Sequence, residues 1–176
     1  MPHSLDYFRF CPVCGSPHFD VNNVKSKRCA DCGFVYYLNP SAATAAFIEN
    51  EKGELLVARR AKEPARGTFD LPGGFVDMEE SGAEAIIREI KEEVHLDAVK
   101  AELLFSLPNW YLYSGLHIPT LDLFFRCTVA DFSPLQADDD VATVFFIQPE
   151  ALNPADFGLA SIRKAIMMYK DLLCNN

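Results

Sequence analysis

The chain has 176 residues, enough for one domain with a sizeable core or for one domain beside a small module. Apolar residues make up 49% and charged residues 23%, a globular balance, and the net charge of −9 argues against broad nonspecific binding to nucleic acid or to an anionic membrane. No apolar run approaches the roughly 20 residues of a membrane span, and the start, MPHSLDYFRF, lacks the basic-then-apolar order of a secretory signal. Four of the six cysteines form two CxxC pairs while Cys127 and Cys174 stand singly. That usage suits a reducing compartment and thiolate metal binding better than a disulfide framework, so the expected location is cytoplasmic, with no membrane partner.

Residues 1–38 read as a separate unit. Cys11, Cys14, Cys29 and Cys32 sit in two similar knuckles, each followed by a glycine. Four thiolates so spaced can hold one Zn²⁺ tetrahedrally and leave no open position, which points to a structural zinc ribbon. So short a segment buries little core, and the metal must supply its folding energy. Lys25, Lys27 and Arg28 form a small basic cluster between the knuckles, read as a solvated loop rather than a nucleic-acid contact.

Asn39-Pro40 marks the boundary, and residues 39–176 form the second domain. Residues 41–49 and 54–60 are expected as two strands of a hairpin across Asn50-Glu51-Lys52-Gly53. A basic loop then runs from Arg59 and Arg60 to Arg66, whose cations are candidates for phosphate binding. Gly73-Gly74 reads as a tight turn. Ser81 stands three residues before Glu84, a capping box that should start a helix, and Ile86, Ile87, Ile90 and Val94 give that helix an apolar stripe. Glu89, Glu92 and Glu93 lie off the stripe at i, i+3 and i+4, so their carboxylates project from one face. Like charges so placed repel, and a hard cation such as Mg²⁺ or Mn²⁺ between them reverses the sign.

Gly74, Glu80, Arg88, Glu89, Ile90, Glu92, Glu93 and Leu96 follow the spacing GX5EX7REUXEEXGU, with U aliphatic. Residues 74–96 therefore closely resemble the signature of the Nudix hydrolases. One position departs: His95 stands at the second glycine. Histidine is enriched among non-glycine residues at positive φ, so a helix-capping role is expected there in preference to metal ligation.

Beyond the helix, residues 98–107 and 119–130 are expected as strands separated by an aromatic loop holding Trp110 and Tyr111, which can stack on a flat ring or cover the core. Residues 106–114 are similar to an aromatic motif found after the Nudix box in NADH pyrophosphatases. Gln136 to Asp140 form an acidic loop, residues 141–147 a strand, and residues 156–173 a helix with Ile162, Ala165, Ile166 and Tyr169 on its apolar face, extended by Leu172 and Leu173.

The resemblance implies an α+β Nudix fold, a mixed β-sheet sandwiched between α-helices, preceded here by a small four-cysteine zinc ribbon. It implies a hydrolase that cleaves a diphosphate linkage in a nucleoside diphosphate joined to a second group, with Mg²⁺ or Mn²⁺ as catalytic cofactor and Zn²⁺ as structural cofactor. By position, Glu89, Glu92 and Glu93, the carbonyl of Gly74 and Asp140 are the expected metal ligands. Glu92, Glu93, Arg88 and Glu80 are the expected catalytic residues, with the general base open among Glu92, Glu93 and a loop acid. Arg59, Arg60, Arg66, Trp110 and Tyr111 are the expected substrate contacts. A ribbon ahead of the domain resembles the NADH pyrophosphatase branch, implying a homodimer and NADH, ADP-ribose or capped RNA among the substrates. The alternatives are a nucleoside triphosphate pyrophosphohydrolase, or a nucleotide-sensing regulator with little turnover.

Overall fold

The computed structural model describes residues 4–174. The chain divides into two compact units, Met1–Pro40 and Ser41–Asn176.

In the first unit, strands β1 (Phe19–Asn23), β2 (Ser26–Cys29) and β3 (Val35–Tyr37) form an antiparallel sheet in that order. Its core is small: Cys11, Phe19 and Cys29, with Phe34 packed against them. The two knuckles repeat one backbone pattern. Gly15 donates to the Cys11 carbonyl at 2.9 Å and Gly33 to the Cys29 carbonyl at 3.0 Å. Both glycines have positive φ, 74° and 76°, a conformation that favours residues without a Cβ.

The second unit contains β4 (Ser41–Ile48), β5 (Leu55–Arg60), β6 (Phe69–Asp70), α1 (Gly82–Val94), β7 (Ala98–Tyr113), β8 (Leu116–Val129), β9 (Val141–Ile147) and α2 (Ala160–Cys174). One sheet is mixed: β8 pairs in parallel with β4 and antiparallel with β7. The other, in the order β6-β5-β9, is antiparallel. Alternation along the strands sends side chains to two helices. Ala45, Phe47, Val57, Leu107 and Phe124 join Ile162, Ala165, Ile166 and Tyr169 of α2 in one core. Ala46, Ile48, Leu56, Phe125 and Cys127 join Ile86, Ile90 and Val94 of α1 in the other. Strands between helices, as the resemblance implies, are thus built from period-two patterns. Phe47 is central: it is fully buried and stacks on Tyr169 at 4.3 Å between centroids. Truncating it to alanine would cost about 3–5 kcal/mol.

Several local expectations are corrected. β4 and β5 meet only at their turn, through the Glu49–Leu55 bridge, because each strand finds longer pairing in a different sheet. The aromatic loop is strand: β7 runs to Tyr113 and turns back at Ser114-Gly115, both at positive φ. α2 begins at Ala160 rather than residue 156, the intervening proline-containing segment forming a 3-10 turn at Pro154–Asp156. Ile87 and Leu172 fall outside the buried faces of their helices. Among the described residues, no helix is long and apolar enough to cross a membrane.

Candidate active site

α1 is set by its caps. Ser81 accepts from the Glu84 N–H while Glu84 reaches back to the Ser81 N–H, satisfying two donors that the first turn leaves without intrahelical partners. At the other end His95 takes the left-handed conformation (φ 59°), donates its N–H to the Lys91 carbonyl and places its ring 3.1 Å from Asp138. It caps the helix and lies outside the cleft described next.

Between these caps the helix presents its acidic face to a cleft of about 350 Å³ lined by Glu89, Glu92, Glu93, Asp140, Asp70, Asp122, Arg60 and Tyr111, among others. Arg88 organises its rim. The guanidinium engages Glu80 through Nε and Nη2 (3.0 and 2.9 Å), Glu89 and Glu92 through Nη1 (2.8 and 3.0 Å), and the Phe75 carbonyl through Nη2 (3.1 Å). All five guanidinium donors are therefore used, in a planar fork that lysine does not have. The Arg88 contact holds Glu80 below the usual carboxylate range.

Glu93 is different. It is buried, and its Oε2 accepts one hydrogen bond, 2.9 Å from the Gly73 N–H. Burial pushes its carboxyl up to about 8, and the nearby carboxylates of Glu89, Asp70 and Asp140 add to the effect. Burial likewise raises Glu89, against the pull of Arg88. The loop ahead of the helix is fitted to these side chains. A Cβ on Gly73 would strike the backbone of Thr44, and one on Gly74 would sit 2.6 Å from the Glu89 carboxylate.

A buried, uncompensated carboxylate beside two more suits a hard divalent cation. Among the described residues, the four cysteines are the one group of three or more acid, histidine or cysteine side chains whose ligand atoms all lie within 4.8 Å of one another. The glutamates are not gathered as tightly, because Arg88 holds Glu89 and Glu92 while Gly73 holds Glu93. The Gly74 carbonyl accepts from the Thr44 N–H at 2.7 Å and its hydroxyl at 3.3 Å, so it is tied to β4. Asp140 lines the cleft and pairs with Lys62.

The expected substrate contacts divide. Tyr111 lines the cleft, its ring edge-on to Phe75 at 5.6 Å, and Arg60 donates to its hydroxyl at 3.2 Å. Arg60 lies in the cleft but is spent on Asp70, Pro64 and Tyr111. Arg59, one residue earlier and so on the other face, covers the Phe69 ring and bonds the Gly67 carbonyl. Arg66 is exposed and outside the cleft lining. Trp110 is 58% exposed and also outside it, because β7 alternation sends Asn109, Tyr111 and Tyr113 inward and Trp110 outward. Asn109, Asp70, Thr120 and Asp122 line the cleft although nothing in the sequence pattern singles them out.

In the first unit, Cys11 and Cys32 sulfurs lie 3.7 Å apart and Cys14 and Cys29 sulfurs 3.6 Å apart. A zinc tetrahedron with Zn–S bonds of about 2.3 Å has edges of about 3.8 Å, so the four thiols fit that ion.

Residues 39–168 match the family model of the NUDIX domain. The chain belongs to the Nudix family. An ADP-ribose pyrophosphatase of Methanocaldococcus jannaschii is 45% identical over 75 residues, which are 42% of this chain and 44% of that protein. The NAD-capped RNA hydrolase NudC of Pseudomonas aeruginosa is 23% identical over 161 residues, 92% of this chain and 55% of the relative. The chain thus spans about half the length of the curated relatives it matches. A NUDIX hydrolase from Nitrosomonas europaea superposes with a TM-score of 0.72 at 22% identity, covering 93% of this chain and 90% of that one. The NUDIX domain of Shewanella oneidensis NrtR, complexed with ADP ribose, has a TM-score of 0.59 at 18% identity, covering 77% and 89%. At these identities the structural likeness is one of fold.

Proposed function

We propose that this Nudix protein hydrolyses a diphosphate linkage in a nucleoside diphosphate joined to a second group, with ADP-ribose and dinucleotides such as NADH or the NAD cap of RNA as the first candidates. The observation that carries this reading is the acidic face of α1. Arg88 spends all five donors on Glu80, Glu89, Glu92 and Phe75, while Glu93 is buried with no cationic side chain paired to it among the described residues. The names of the relatives support the substrate class.

A Mg²⁺ or Mn²⁺ ion held by Glu93 with Glu89 and Glu92 would neutralise diphosphate oxygens and acidify a bound water. Arg88 keeps Glu89 and Glu92 oriented for that role, and its fork on Glu80 braces the loop. Glu92 is the leading general base: its side chain is 54% exposed and Arg88 engages only Oε2, which leaves Oε1 to accept a proton from water. Asp140 supplies a further carboxylate once released from Lys62. Tyr111 and Phe75 offer aromatic surface to a base. The ribbon binds zinc structurally, and the protein is a homodimer, for which a solution mass near twice 19.7 kDa is expected.

The test is hydrolysis of NADH, NAD⁺, ADP-ribose, diadenosine polyphosphates and nucleoside triphosphates with Mg²⁺ or Mn²⁺, read by mass spectrometry. Cleavage within the diphosphate of ADP-ribose or a dinucleotide is expected. Turnover of triphosphates alone would discard the substrate class. Nucleotide binding with no turnover would replace the enzyme by a sensor.

A further inference from the structure

The floor of the cleft holds polar groups that the metal end does not use. Thr120, Asp122 and Phe124 lie on one face of β8. Phe124 packs in the core under α2, whereas Asp122 and Thr120 line the cleft. The same change runs along β7, from buried Leu107 to cleft-lining Asn109, which pairs with Thr120 in register. Asp122 is only 7% exposed. Its Oδ1 accepts from the Thr120 hydroxyl at 2.6 Å, and its Oδ2 has no hydrogen-bond partner among the described residues. That oxygen is not sealed in: among the described residues, the fully buried side-chain polar atoms without partners are Arg126 Nε and Ser161 Oγ. It therefore faces the cleft. The Asn109 amide, half-buried across the strand pair from Thr120, also has no hydrogen-bond partner among the described residues. The cation among the described cleft-lining residues, Arg60, is committed to Asp70. Ala43 and Ala45 of β4 and Ala58 of β5 line the same space with methyl groups only.

Carboxyl oxygens with no free cation beside them repel phosphate and receive donors. An acceptor almost fully removed from water is costly until something donates to it. We propose that Asp122, oriented by Thr120 and joined by Asn109, reads the uncharged nucleoside half of the substrate by accepting from the ribose 2′-hydroxyl or an exocyclic amine. The inference rests on the hydrolase reading for what occupies the cleft. It assigns specificity to the floor and chemistry to the rim. A site built to accept a donor discriminates strongly against analogues lacking it, because its own buried group is then left unpaired.

The experiment measures binding of AMP, IMP and 2′-deoxy-AMP by saturation-transfer NMR to protein free of Mg²⁺ and Mn²⁺ but with its zinc retained, alongside hydrolysis of ADP-ribose. The parent is expected to bind AMP and to bind one of the other two about tenfold more weakly or worse. Loss with IMP identifies the amine as the donor, and loss with 2′-deoxy-AMP identifies the hydroxyl. Asp122→Asn, nearly isosteric, should lose that discrimination, and its KM for ADP-ribose should rise about tenfold with kcat changed less than threefold. Thr120→Val should lose part of the discrimination. Equal binding of all three ligands by the parent, or parental discrimination in a folded Asp122→Asn, would overturn the proposal, as would no binding of any of them. If AMP binds selectively while no diphosphate is cleaved, the hydrolase reading fails and the nucleoside subsite stands.

Discussion

Glu93→Gln tests the site through stability as well as rate. In protein free of Mg²⁺ and Mn²⁺ but with its zinc retained, the Glu93 carboxyl is pushed up to about 8, whereas an unfolded-chain glutamate titrates near 4.5. Between those values the folded protein holds a proton that the unfolded chain has released. Stability is therefore full below about pH 4.5 and falls as the pH climbs toward 8. At about 1.4 kcal/mol per unit, the loss from this one group reaches about 3 kcal/mol by pH 7. Glutamine cannot ionise, and its carbonyl can keep the Gly73 hydrogen bond, so Glu93→Gln lacks that loss. Urea denaturation at half-unit steps from pH 5 to 8 should show the variant's advantage widening with pH. Titrating Mg²⁺ into the parent at pH 7 should release close to one proton, measured by calorimetry in buffers of different ionisation enthalpy, and none from Glu93 in the variant. Turnover should fall at least about a hundredfold, since a lost metal ligand forfeits several kcal/mol of transition-state stabilisation. Parallel stability profiles for parent and variant would refute the account of Glu93 as a buried, uncompensated carboxyl.

Gly74→Ala should unfold within about 1 kcal/mol of the parent yet lose about 10- to 100-fold in Mg²⁺ affinity, because its methyl displaces only the Glu89 carboxylate. Gly73→Ala meets the Thr44 backbone at positive φ and should cost well over 1 kcal/mol, visible as a lowered melting temperature. Arg88→Lys keeps the charge but not the fork, and kcat/KM should drop about tenfold or more with Mg²⁺ saturating. Removing zinc should abolish amide-exchange protection in β1 to β3 while leaving β4 to β9 protected, since the apolar cluster among the first unit's described residues is just Cys11, Phe19, Cys29 and Phe34.

What can be read from the chain depends on whether a signal is local. The capping box, the acidic face of α1, the His95 cap and β9 are written within a few consecutive residues, and the structure places them as the pattern implies. The inward residues of β7 and β8 are not. In Thr120-Leu121-Asp122-Leu123 an alternating strand reads with its polar side toward water. That side becomes the cleft floor because the same face carries Phe124 into the core with α2 and leaves Asp122 and Thr120 to line the cleft. Ring chemistry alone sends Trp110 to the substrate, but strand parity decides otherwise once β7 is seen to continue through Pro108. Arg59 and Arg60 are alike in sequence, and one step of alternation separates a cation over Phe69 from one inside the cleft.

Strand pairing also orders the birth of the protein. The first unit pairs neighbours in sequence, from Phe19–Cys29 to Ser26–Tyr37, so it can fold once a short length of chain and a zinc ion are available. The second cannot. β4 waits for Thr120 to meet Ser41, and β5 waits for Ile147 to meet Leu55. Loop closure over such distances is slow. During synthesis the edge of β5 that β9 covers therefore stays unpaired until Val141–Ile147 has left the ribosome, and this interval is when the domain is most open to aggregation.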